Sequence, residues 1–495
     1  MLIGDLMVES GVKFGTSGAR GLADDMTDRV CYAYTLGFLQ YLVSCGSLVA
    51  GGDLCIAGDY RPSTERIMAA CARAAADQGF RPRNQGRIPS PAVVAYAIAR
   101  GMPSMMVTGS HIPDDRNGIK FNLPTGEILK EDEEGIRTQE VTLPAGLFGD
   151  DGNFLPDMPS PLPEEESAAF DAYVARYLDF FPPACLAGVH VGSYEHSGVA
   201  RDAFYAVLTG LGANVARLGY SDTFIPVDTE AIRPEDVELA RDWGATGEYD
   251  ALVSADGDGD RPLIGDERGE WLRGDIAGIL CARELGARGL ATPVSCNTAV
   301  EKSDWFDEVL RTRIGSPFVI AGMQQLVDRG LEPVVGYEAN GGFLTASDIE
   351  RDGKCLSALP TRDAVLVAVS ILLMAQRLGV PISQLTAELP QRFTTSDRIK
   401  DFPTELSQAR LAALTTGDTE RDMAALEGVF EDLFGKVSGV DNTDGLRVTF
   451  ASGEIAHLRP SGNAPELRAY TEADTPERAA EMNRICMEIL AGWKH

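Results

Sequence analysis

Residues 107–122, VTGSHIPDDRNGIKFN, set a serine, Ser110, beside Gly109. A glycine there lets the backbone approach an anion, and the hydroxyl is a candidate nucleophile or phosphoryl acceptor. His111 and Lys120 follow closely and offer proton donors or positive charge. Taken alone, the same string is equally an ordinary polar turn with an N-capping serine.

A second stretch alternates carboxylates with glycines: Asp256, Gly257, Asp258, Gly259, Asp260, Arg261. Three oxygens so spaced can wrap one hard cation. An EF-hand calcium loop is the obvious competitor, and Glu267 falls at its twelfth position. Its sixth position, where that loop needs glycine, is Arg261, and the preceding ALVSA reads as strand instead of helix, so the EF-hand is excluded. A plain turn is disfavoured because clustered carboxylates repel unless a cation or base neutralises them.

Two further glycine-containing loops complete the set. In GYEANGG (336–342), Glu338 and Asn340 project alike from extended chain and present donors and acceptors to hydroxyls, as many polar hairpins do. In RPSGNAPELR (459–468), Arg459, Ser461, backbone amides at Gly462, and Asn463 suit a phosphate dianion, or else form a surface turn. No Walker P-loop, HExxH or GxSxG motif occurs, which removes several enzyme classes.

The elements that must position these loops alternate strand and helix. DLCIAGDYRPS (53–63), CLAGVHVGS (185–193) and PVVGYEANGGFL (333–344) read as strands entering loops; TERIMAACARAAADQG (64–79) and GVARDAFYAVLTGLG (198–212) read as helices. PDMPSPLPEEES (156–167) is a proline-rich connection, and residues 440–462 alternate as hairpins before a final helix. Four units emerge from a chain of 495 residues, too long for one core.

Composition narrows the function. A formal net charge of -30 excludes nucleic acid and anionic membrane as expected partners, and obliges any phosphate site to gather its cations locally. Nine scattered cysteines without paired spacing fit reduced thiols in a cytoplasm. The first residues carry Asp5 and Glu9 and read as no signal peptide, and the apolar run AVLVAVSILLMA (364–375) is too short to span a bilayer.

Taken in order, KFGTSGARG (13–21), TGSHIPDDRNGIKFN, DGDGDR, GYEANGG and RPSGNAPELR resemble the α-D-phosphohexomutase family over essentially the whole chain. That family includes phosphoglucomutases, phosphomannomutases and phosphoglucosamine mutases. The resemblance implies an α/β protein of four domains around one central cleft. Three are related mixed α/β domains and the last is a smaller helix-on-sheet domain, with expected bounds 1–163, 164–270, 271–386 and 387–495. It implies a phosphoserine at Ser110 that passes its phosphoryl group to a hexose phosphate and recovers it from a bisphosphorylated sugar, moving phosphate between C6 and C1. Mg²⁺ would be held by Ser110, Asp256, Asp258 and Asp260. Arg20, His111 and Lys120 would serve the reacting phosphoryl group, with Arg261 facing the same phosphate. Glu338 and Asn340 would hold sugar hydroxyls, while Arg459, Ser461, Gly462, Asn463 and Arg468 grip the other phosphate. Hexose 1,6-bisphosphate is the expected activator, a small hexose phosphate the only expected partner, and a monomer or homodimer the expected state.

Mannose 6-phosphate is the favoured substrate. Glucose or (acetyl)glucosamine phosphates stand as the alternative, since the EANG loop is closest to the phosphoacetylglucosamine mutase pattern. A non-catalytic sugar-phosphate-binding protein and a serine-dependent phosphatase are the rivals from other classes. Two departures stand out. The serine turn reads TGSHIP where many members have TASHNP, and TRIGSPFVI (312–320) offers Ser316 and no cation where members place a His or Lys.

Overall fold

A computed structural model describes residues 1–15, 18–158, 161–461 and 465–494. Four main sheets succeed one another along the chain. In the first, the strands run in the order Lys13–Phe14, Gly18–Leu22, Arg116–Leu123, Ser104–Val107, Asp53–Gly58, Arg81–Asn84. Its central strands Asp53–Gly58 and Ser104–Val107 are parallel, and Arg116–Leu123 returns antiparallel to Ser104–Val107. The SMMV strand is buried at every position, so it needs an apolar residue or a partnered serine throughout.

The second sheet orders Pro262–Gly265, Ala251–Ala255, His190–His196, Asn214–Tyr220; the third orders Glu308–Thr312, Gly289–Pro293, Val334–Tyr337, Phe343–Thr345. Each is parallel apart from one antiparallel edge strand. The fourth is wholly antiparallel: Phe393–Ile399, Leu467–Ala473, Ile455–Pro460, Leu446–Phe450, Val437–Asp441, with the helix Pro476–Gly492 packed on it.

One placement rule emerges from this topology. Each of the four glycine loops joins two antiparallel neighbours: 108–115 between Ser104–Val107 and Arg116–Leu123, 256–261 between Ala251–Ala255 and Pro262–Gly265, 338–342 between Val334–Tyr337 and Phe343–Thr345, and 461–466 between Ile455–Pro460 and Leu467–Ala473. In the first three, the strand leading in is parallel to an inner neighbour, so the loops leave from the carboxyl ends where α/β sheets place ligands.

The apolar run at 364 forms the helix Ala364–Leu378, N-capped by Asp363 and buried at every residue from Ala364 to Leu372. No single helix among the described residues is long and apolar enough to cross a membrane.

Candidate active site

The loop after Ser104–Val107 turns sharply because Ser110 takes a left-handed backbone conformation, φ 57°. A non-glycine residue resists this conformation unless its surroundings hold it. Here Thr108 Oγ accepts from the Ser110 amide at 2.7 Å and donates to Asp59 at 2.7 Å. The result is a buried serine whose Oγ donates to Asp256 Oδ2 at 2.6 Å, from a loop 146 residues away.

Asp256, Asp258 and Asp260 are all buried, with one carboxylate oxygen of each within 4.8 Å of the others. Ser90 Oγ donates to Asp258 Oδ2 at 2.6 Å, and Lys120 Nζ donates to Asp258 and Asp260 at 2.5 and 2.6 Å. Burial, followed by the repulsion of Asp258 and Asp260, pushes the Asp256 carboxyl up to about 8. Burial also pushes Asp258 up, yet Lys120 and Ser90 hold it well below the usual carboxylate range. Two buried oxygens, Oδ1 of Asp258 and of Asp260, have no hydrogen-bond donor among the described residues. A buried carboxylate oxygen without a donor beside a carboxyl that keeps its proton is what a hard cation relieves, so the triad fits a metal ion.

His111 lies beside this cluster. Burial, then the Arg261 guanidinium, pulls its imidazole down to about 3, so the ring is neutral. Arg261 donates to Nδ1 at 2.9 Å, which leaves the ring proton on Nε2. Ser110 Oγ is 3.3 Å from the same Nδ1 and closer to Asp256. The ring thus touches Arg261 and the serine hydroxyl through the same nitrogen and can orient both.

Ser110, His111, Lys120 and Arg261 face one cleft of about 680 Å³, and the three aspartates are buried beside it. Its walls carry Arg20, Ser110, His111, Lys120, Arg261, Glu338, Asn340, Arg459, Ser461 and Arg468. Every sequence-expected site residue that is described thus reaches one cleft or its buried metal cluster; Gly462 and Asn463 lie outside the described residues. The cations at the cleft, Arg20, Lys120, Lys130, Arg261, Arg313, Arg362, Arg398, Arg459 and Arg468, outnumber its Glu230, Glu338 and Glu466. An acidic chain has gathered a basic cavity, as a dianionic ligand requires.

Several roles differ from the expectation or were not foreseen. Ser316 does not stand in for a missing cation: it is fully buried and donates to Glu127 at 2.9 Å. The cation is Arg313, three residues earlier, exposed at the cleft with its guanidinium 4.9 Å from the Phe318 ring. Its signal lay in the same TRIGSP string, whose arginine is the cation the stretch was read as lacking. Arg362 is also new. Buried between two loops, it donates to Asp260 at 2.9 Å and to Glu338 at 3.2 Å, so Glu338 presents only part of its carboxylate to a ligand. Arg362 sits in no glycine motif, and only its place just before the N-cap Asp363 marked it in the sequence. In the fourth loop, Arg459 pairs with Asp444 at 3.0 Å and Arg468 with Glu466 at 3.0 Å.

Comparison with known proteins agrees with this geometry. Family models for phosphoglucomutase/phosphomannomutase match domain I at residues 11–141, domain III at 273–393 and the C-terminal domain at 411–489. A phosphomannomutase of Sinorhizobium fredii is 43% identical over 480 residues, 97% of this chain and 99% of that one. One of Salmonella muenchen is 42% identical, covering 97% and 95%. Among solved structures, a phosphoglucomutase/phosphomannomutase family protein of Burkholderia thailandensis superposes with a TM-score of 0.72 at 19% identity over 97% of both chains, a likeness of fold. With the serine turn, the carboxylate cluster and the basic cleft assembled by three sheets and a C-terminal domain, and with these matches along its length, the chain belongs to the phosphoglucomutase/phosphomannomutase family.

Proposed function

We propose that the protein is a phosphomannomutase, interconverting mannose 6-phosphate and mannose 1-phosphate through phosphorylated Ser110 and a bisphosphorylated hexose. The observation that carries the chemistry is the 2.6 Å contact of the Ser110 hydroxyl with a buried carboxylate triad at the side of a basic cleft. The choice of sugar is supported by two relatives above 40% identity, both phosphomannomutases, aligned along nearly their full lengths.

Ser110 gives its phosphoryl group to a sugar hydroxyl, breaking the serine P–O bond as the new one forms, and later takes the second phosphate back. Asp256, Asp258 and Asp260 would hold a divalent cation, magnesium in this reading, which when bound neutralises charge on the transferring group. Lys120 is protonated where it stands, because Asp258 and Asp260 outweigh its burial, and it supplies positive charge and a proton at the cleft wall. Arg20, pulled down to about 10 by burial and by Arg261, adds a second cation facing the same space. Glu338 and Asn340 hold sugar hydroxyls, and Arg459, Ser461 and Arg468, with Gly462 and Asn463, hold the phosphate that does not react. Hexose 1,6-bisphosphate primes the serine. A cytoplasmic enzyme, monomeric or homodimeric, with domain bounds near residues 163, 270 and 386, completes the reading; its nine unpaired cysteines agree with a reducing compartment.

Turnover of mannose, glucose and N-acetylglucosamine 1-phosphates, each primed with bisphosphate, tests it. The mannose substrate is expected to have the highest kcat/KM, and a wide margin in favour of another sugar would overturn the choice. The EANG loop, with Asn340 buried beside Glu338, favours N-acetylglucosamine as the second reading. Release of inorganic phosphate matching sugar consumption would instead make the protein a phosphatase.

A further inference from the structure

Arg61 has no place in the chemistry described so far, yet its side chain is completely buried within reach of the reacting serine. One edge of its guanidinium is paired with Asp59, also fully buried. Nη2 donates to the carbonyl of Ser110 at 2.9 Å and to the carbonyl of Ile112. The first acceptor belongs to the residue whose left-handed conformation aims the nucleophile, and the second lies two residues further along the same turn.

The faces of the same guanidinium are filled as well. Phe224, from the second unit, lies with its ring centroid 4.1 Å from the Arg61 Cζ. Close against the group is Gly109: a Cβ added there would come within 2.7 Å of Cζ and 2.8 Å of Nε. A flexible side chain would swing clear, but Arg61 is pinned by an ion pair, two carbonyls and an aromatic ring. A side chain at 109 would therefore force the guanidinium out of this pose. A residue with a side chain at 109 and an arginine in this pose exclude each other.

We propose that Arg61 is a positioning residue for the phosphoryl-accepting serine: held against Gly109 and Phe224, it ties the Ser110 and Ile112 carbonyls and so fixes Oγ at the carboxylate triad. This rests on the mutase reading. Arginine is required because its planar group pairs with Asp59 through Nη1, reaches both carbonyls through Nη2 and lies against the Phe224 ring, and the compact ammonium of lysine does not satisfy all three at once. Gly257 of the metal loop supports the same arrangement, since a Cβ there would lie 2.7 Å from the Ser110 carbonyl oxygen and 3.1 Å from the Phe224 ring.

The test is a double-variant cycle on the full chain. Arg61→Lys and Gly109→Ala should each lower kcat by about 10²-fold, the scale of an ångström of misplacement. KM for hexose phosphate should stay at the wild-type value, and phosphoryl transfer from hexose 1,6-bisphosphate to Ser110, read by intact mass, should slow by the same factor. Adding Gly109→Ala to Arg61→Ala should cost nothing further, because the space is then free. Wild-type kcat in Arg61→Lys, or losses that multiply in the double variant, would overturn the proposal. If Arg61→Ala does not fold, the cycle is run on Arg61→Lys, and Phe224→Leu must lower kcat several-fold at unchanged KM; an unchanged kcat there is equally fatal. Wild-type protein without turnover would sink the mutase reading alone. The Arg61–Gly109 coupling would then be read from melting temperatures, where additive shifts would refute it.

Discussion

The seams between the first three units and the seam to the fourth are built from different forces. One continuous apolar core runs through the first three: Ala92 and Met106 from the first, Val191 and Val253 from the second, Leu290 and Val365 from the third. The C-terminal sheet and its helices have a core of their own, with Phe430, Leu458 and Met482. Its tie to the third unit is polar. Asn297 donates to Thr394 at 3.1 Å, the Thr298 amide to Glu472 at 3.0 Å, and the Ile314 amide to Asp444 at 2.9 Å. Apolar burial is lost outright when a seam opens, whereas hydrogen bonds are exchanged for water at small net cost. Ser110 and its carboxylates therefore sit beside the continuous core, and the Arg459 loop, the proposed phosphate grip, sits across the polar seam, where opening costs least.

Variants along that gradient should separate chemistry from capture. The largest effect is expected for Ser110→Ala, which should abolish turnover, a loss of about 10³-fold or more, with an unchanged circular dichroism spectrum. Full activity would remove the serine from the mechanism. Next, Asp258→Asn should cut kcat by about 10²- to 10³-fold and flatten the response to magnesium, since it weakens a cluster that no exposed group can replace. An unaltered magnesium titration would count against the triad.

Across the polar seam the signature should move to KM. Arg459→Ala removes a charged hydrogen-bond donor from the phosphate grip, so KM should rise about 10- to 100-fold with a smaller change in kcat. A pure kcat effect would place Arg459 in the chemistry. Arg313→Ala should raise KM only a few-fold, about fivefold at most, because an exposed cation is screened. No change at all would leave that corner of the cleft without a cation in use.

The smallest expected effect on activity, but a clear one on stability, concerns acid. His457, buried beside the seam to the third unit, donates from Nε2 to the Asp444 carbonyl. Burial pulls it down to about 4, with Arg447 and Arg459 opposing a charge and Asp444 favouring one. The unfolded chain takes up the proton near 6.5, so the folded state alone stays unprotonated between the two values. Stability from this residue is complete above about 6.5 and is lost as the pH falls towards 4, up to about 3 kcal/mol. Melting curves of wild type and His457→Gln between pH 7 and 4.5 should converge in slope only if another group carries the acid sensitivity.

How much could be read beforehand depended on how local each feature is. The serine turn, the carboxylate string, the EANG loop and the Arg459 loop are contiguous, and the alternation around them marked strands and helices closely: the helix expected at 64–79 spans Thr64–Asp77, and that expected at 198–212 spans Arg201–Gly210. Arg362 was illegible because its partner Asp260 is 102 residues away, and the partner of Ser316, Glu127, is 189 residues away. A spacing rule has no access to a hydrogen bond between units.

The sequence by itself determined the chemical vocabulary of this protein, since hydroxyl, carboxylates and arginines held at glycine turns have their chemistry wherever the turns are placed. Only the tertiary structure decided the grammar: that Ser110 meets Asp256, and that Lys120 and Arg362 pair with the triad. Each of those facts is a distance between units, and such distances are set by how sheets pack, which no local string of residues encodes.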